Sequence, residues 1–155
     1  MAITTDLNRH VIDSLYSEAL LLSDEVRAAF DLSGRLDSAS QDEDLARIAL
    51  SCEALRTTTR MMHVIAWLLN QKAYFNGEIS EFQLRRQGRL TSPAPKPDPE
   101  QLAYLDLHIV ELIHRTRRFH ERIERIDRSW RERFEEQAGA VLRLRERLGE
   151  AVRGL

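Results

Sequence analysis

Residues 61–71 read MMHVIAWLLNQ, an uncharged run inside a longer stretch, 42–76, with helical periodicity throughout. Thr59, Met62, Ala66, Leu69 and Ala73 follow three-and-four spacing, and so do Met61, Ile65, Leu68 and Phe75 once Lys72 is skipped. A helix lying on a protein surface shows one apolar stripe about 100° wide. Two stripes predict a helix with neighbours on two sides, the central element of a bundle. A third line, His63, Trp67, Asn70 and Tyr74, is semi-polar and aromatic. Met, His and Trp close together would suit a cofactor box. No matching ligands occur elsewhere, so the run reads as the inner wall of a bundle, with the His63–Trp67–Tyr74 line left for an interface.

Outward from this run the pattern extends. Upstream, Leu45, Ile48, Cys52 and Leu55 keep the same rhythm as Thr59, Met62, Ala66, Leu69 and Ala73, and the stripe is expected to face the core. Ser40-Gln41-Asp42-Glu43 has the S-x-x-E form of a capping box, and Asn76-Gly77 is a stop signal. The preceding helix is expected from about residue 5 to 30. Its Ile12, Leu15, Ala19, Leu22, Val26 and Ala29 alternate steps of three and four, widened by Leu7, Val11, Tyr16, Leu20 and Phe30, with Gly34 as terminator. Strict spacing of this kind implies near-parallel helix axes.

Downstream, Ser80 to Gln83 is a second capping box, able to open a short helix ending at Gly88. The connector 91–99 holds all four prolines and reads as a stiff linker. Asp98-Pro99-Glu100-Gln101 then predicts the start of a third long helix, 99–130. Leu102, Leu105, Ile109, Leu112, Thr116, Phe119, Ile123, Ile126 and Trp130 carry its stripe. Beyond Trp130 the phase slips to Phe134 and Ala138, and Gly139 weakens a continuous helix by about 1 kcal/mol relative to alanine. The tail is amphipathic again, with Val141, Leu144, Leu148 and Ala151 opposite arginines. These elements predict an all-α protein: an elongated three-helix bundle of long antiparallel helices over 1–130, with an amphipathic C-terminal extension over 131–155.

Composition narrows the function. The 155 residues are 43% hydrophobic and 31% charged, which suits one soluble, helix-rich domain. A net charge of −2 gives no general pull toward nucleic acid or anionic membrane. Eight arginines between 115 and 133 are interleaved with acids, in pairs such as Glu121–Arg125, Glu124–Arg128 and Asp127–Arg131, which reads as a solvated helix face. The lone Cys52 forms no internal disulfide and points to a reducing cytoplasm, with the thiol acting as a small hydrophobe of the core stripe. No signal peptide or membrane-length apolar run is read.

No catalytic motif is found, and no catalytic residue, cofactor or metal is expected. His108, His114 and His120 are spaced by six, which turns each about 120° from the last on a helix. Glu111 and His114 form a single E-x-x-H. Di-iron bundles need a second copy and two further inward glutamates, and the sequence has no second E-x-x-H. What remains is surface for other proteins, with His63, Trp67, Tyr74, Trp130, Phe134, Val141, Leu144 and Leu148 as candidate interface residues.

The stretch SCEALRTTTRMMHVIAWLLNQKAYFNGEIS, with LYSEALLLSDEVRAAFD upstream, resembles the alphaproteobacterial family of the regulator of CtrA degradation, RcdA. That resemblance covers roughly residues 15–80. It implies a three-helix bundle, commonly dimeric, and a non-enzymatic adaptor that helps deliver cell-cycle regulators to the ClpXP protease. The segments it points to for such contacts are 56–60 and 67–78. A self-associating structural bundle without a protease link is the alternative, and a metal-dependent helical enzyme using Glu111 and His114 the more distant one.

Overall fold

The computed structural model describes residues 2–36, 41–92 and 96–154, with side chains described for 5–33, 44–92 and 96–154. Among the described residues the chain is helix, turn and irregular connection, without strands. Five helices follow in order: α1 (Ala2–Leu36), α2 (Gln41–Phe75), α3 (Glu81–Gln87), α4 (Pro99–Leu102) and α5 (Leu107–Arg153). The chain divides into two compact units, residues 1–121 and 122–155. Sequence places a boundary at 130, whereas the larger unit closes at Glu121.

In the larger unit α1 buries the stripe that its spacing predicts: Ile12, Leu15, Ala19, Leu22, Val26 and Ala29, with Phe30 beside them. Leu7 and Leu20, expected to widen it, are exposed. Gly34 does not end α1, which continues to Leu36. From the N-terminal part of α5, Ile109, Leu112, Thr116 and Phe119 are buried in the expected phase. Burying such aliphatic and aromatic side chains contributes roughly 1.5–3 kcal/mol each, offset by the entropy of ordering long helices.

Polar contacts fix the pairing of α1 with α2. Lys72 Nζ lies 2.6 Å from Asp13 Oδ1 and sits 4.9 Å from the centre of the Tyr16 ring. Arg9 donates to the Phe75 carbonyl. The beginning of α1 thus meets the end of α2. On α5, Arg115 reaches Glu25 of α1 at 2.6 Å.

Helix ends follow local chemistry where the chain provides it. After α2, Gly77 takes a φ of 76°, and the Glu78 N–H donates to the Ala73 carbonyl at 2.9 Å. That is the six-to-one bond of a Schellman ending, which glycine permits without strain. Ser80 and Gln83 form the complete capping box of α3. The expected box at 40–43 lies outside the residues whose side chains are described.

The third long helix differs from its expectation. Asp98 accepts from the Glu100 N–H at 3.0 Å and Pro99 occupies the first turn, but the helix they start stops at Leu102. Residues 103–106 turn, and the Val110 N–H donates to the Asp106 carbonyl at 3.0 Å as α5 begins. From Leu107 the helix runs without interruption through Gly139 to Arg153, so neither the phase slip nor the glycine breaks it. Among the described residues no helix is long and apolar enough to cross a membrane.

Candidate interaction surface

One of the two apolar stripes expected to be covered on helix α2 faces outward instead. Leu45, Ile48, Leu55, Met62 and Leu69 keep 47–70% of their surface exposed. Ala66 is exposed as well, and Cys52, Thr59 and Ala73 are partly so. The stripe assigned to the core therefore faces outward. Facing inward are Ala49, Met61, Val64, Trp67 and Leu68, together with Glu53, Thr57, Arg60 and Gln71. Nine residues at about 100° each bring Thr57 about 180° round from Ile48, so the two sets occupy opposite sides of the helix. Of the two predicted stripes, Met61 and Leu68 belong to the core and Met62 and Leu69 to the surface.

A polar seam on this inward side ties α2 to α4 and α5. Arg60 Nη1 donates to Thr116 Oγ1 at 2.8 Å, and the threonine hydroxyl donates to the Ile113 carbonyl at 2.9 Å. Glu53, fully buried, accepts from Arg56 Nη1 at 2.6 Å. Arg56 also reaches Gln101 of α4 at 3.3 Å, so the glutamine expected to complete a cap holds α2 instead. Burial lowers the Arg60 guanidinium from its usual range and Arg117 adds to this, while Glu53 and Glu121 act the other way. Arginine still stays charged at any working pH, so the effect is a standing cost of burial rather than a titration. Sequence reading missed this seam. Its signal is the charge at Glu53 and Arg60, one heptad apart, with Thr57 between them.

The predicted interface residues fall into different environments. Trp67 retains 1% of its surface and is a core residue, so it offers nothing to a partner; its bulk fills the inward face. His63 and Tyr74 are half-buried. The Tyr74 ring packs at 55° to Phe75 with centroids 5.5 Å apart. The structure does not gather the His63–Trp67–Tyr74 line into one surface. In the smaller unit Trp130 and Phe134 are half-buried, whereas Val141, Leu144 and Leu148 are exposed along with Leu142 and Val152.

The histidines occupy three different settings, as their spacing requires: His108 exposed, His114 half-buried and His120 buried. His120 Nε2 lies 3.2 Å from the Thr91 carbonyl, which can only accept, so that nitrogen carries the proton. Glu111 is exposed. Among the described residues no group of three or more His, Cys, Asp or Glu side chains is placed to hold a metal ion. Of the expected helix-face ion pairs, Asp127–Arg131 closes at 3.0 Å. Cys52 is a free thiol on the outward face of α2, not a core residue.

An all-helical chain with one heptad-spaced apolar face turned outward is thus defined. It belongs to the family described as "Protein of unknown function (DUF1465)", whose profile matches residues 3–152. The chain matches no curated protein and no solved structure.

Proposed function

We propose that this protein is a non-enzymatic protein–protein adaptor, working as a homodimer whose protomers are three-helix bundles of α1, α2 and the first part of α5. The observation that carries this reading is the outward stripe of α2. Five large aliphatic side chains in heptad register are left exposed on the side away from their own core. Scattered apolar residues on a surface need no explanation, but a contiguous row of them marks an interaction site. The second exposed row, Val141, Leu144, Leu148 and Val152, provides a surface for a different protein. Short aliphatic anchors flanked by arginines fit docking of an amphipathic partner helix, with the charged rim adding specificity.

The resemblance to the RcdA family names what such a surface would serve. The protein would act in the cytoplasm, bringing cell-cycle regulators to the ClpXP protease, with binding partners but no chemistry of its own. Affinity capture from host lysate, comparing the full chain with a Val141→Glu/Leu144→Glu/Leu148→Glu variant, tests this. Recovery of the unfoldase or a response regulator with the native chain, and its loss with the variant, is the expected result. Recovery of neither leaves the self-associating bundle without a protease link as the better account.

A further inference from the structure

The outward stripe of α2 alternates small and large residues. Cys52, Thr59, Ala66 and Ala73 recur every seventh residue, and so do Ile48, Leu55, Met62 and Leu69. We infer that α2 pairs with α2 of a second copy in antiparallel orientation, about a two-fold axis between Arg60 and Met61. This rests on reading the stripe as an interface and adds its occupant, direction and register.

The size alternation decides the direction. In an antiparallel pair centred there, Ala73 meets Ile48 of the second copy, Ala66 meets Leu55, Thr59 meets Met62 and Cys52 meets Leu69. Every layer then joins one small and one large side chain, and the two-fold repeats each layer. Even layers let the helix axes close toward the short end of the usual range of about 8–10 Å. A parallel pair would stack Cys52, Thr59, Ala66 and Ala73 each on itself. Those layers would leave gaps between the layers of doubled leucine, isoleucine and methionine, and gaps forfeit contact outright.

The flanks permit the approach. Beside the seam lie Ser51, Arg56, Thr58, His63, Ile65, Asn70 and Lys72, and only Arg56 and Lys72 carry a fixed charge. Arg56 is held by Glu53 and Lys72 by Asp13, each at 2.6 Å within the same chain. Pairing the two copies therefore brings no uncompensated charge to the edge of the seam.

The native thiol reads the register. In the antiparallel pair the two Cys52 residues are separated by about 25 Å along the axis, at about 1.5 Å rise per residue, beyond reach of a disulfide or a short bismaleimide. Mild oxidation and short bismaleimide treatment of the native chain should give no covalent dimer. The Leu69→Cys variant, which places a second thiol opposite Cys52 of the other copy, should give a covalent dimer in high yield. Cys52→Ala/Leu69→Cys should give none, and Cys52→Ala/Leu55→Cys/Ala66→Cys should link through a second layer. These positions lie on the outward face of α2, and circular dichroism checks that each variant is folded. Ready linkage of the native chain through Cys52, or a dimer that neither engineered pair links, overturns the antiparallel register while leaving the interface standing. A native chain that sediments as a monomer overturns the interface and the register together.

Discussion

At the scale of single residues, the inward face of α2 contradicts simple hydrophobic sorting. Glu53, Thr57 and Arg60 are buried while Leu55 and Met62 are exposed. A buried charge is tolerated only with partners, and here Arg56, Arg60 and Thr116 provide them. Glu53→Ala removes the buried partner of Arg56 and the stronger of the two acidic attractions on buried Arg60, and should lower stability by about 3–5 kcal/mol. Glu53→Leu/Arg60→Met removes both charges together and should recover most of that loss, as urea denaturation would show. The Lys72 hydrogen bond lowers the Asp13 carboxyl below its ordinary value; desolvation opposes it, and the Lys72, Arg9 and His10 charges add to the lowering. A carboxyl depressed on folding stabilises above its unfolded pKa and loses that contribution as pH falls through the folded one. Both side chains are partly exposed, so Asp13→Asn should cost less than about 1 kcal/mol at neutral pH. The difference should vanish in strong acid, and thermal melts of the pair of proteins across pH would register it.

At the scale of elements, periodicity proved a good guide to faces and a poor one to their direction. For α1 the stripe from Ile12 to Ala29 and its burial agree, because α1 has one apolar face and one place to bury it. For α2 two apolar faces exist. Spacing alone could not say which one the chain keeps and which it presents, since heptad order serves a second copy as well as a core. Trp67 was misplaced for the same reason: its polar neighbours His63 and Asn70 disguised a residue on the inward side. The division of the third helix was concealed by Leu102, Leu105 and Ile109, which hold their rhythm across the turn at 103–106. Asp106, just ahead of an apolar run, was the available sign of a new start. In α5, a Cβ at Gly139 would meet nothing within 4 Å. Gly139→Ala should therefore stabilise that stretch by up to about 1 kcal/mol, seen as slower amide hydrogen exchange around residue 139.

At the scale of the whole molecule, the two compact units each leave an apolar row exposed, α2 in one and residues 141–152 in the other. The helical class and the α1 core were legible from residue spacing, and so was the amphipathic row of Val141, Leu144 and Leu148, though not whether it is packed or exposed. The orientation of α2 was not, because two apolar faces on one helix carry no mark of which one is buried. The most direct measurement is sedimentation equilibrium on the native chain and on Leu55→Glu/Met62→Glu, which places charge in the centre of the α2 stripe. The account predicts a native mass of twice the 18.0 kDa chain. The variant should run at the mass of one chain, with unchanged helical circular dichroism. A native protein at the mass of one chain, or a variant that stays at the doubled mass, would contradict it.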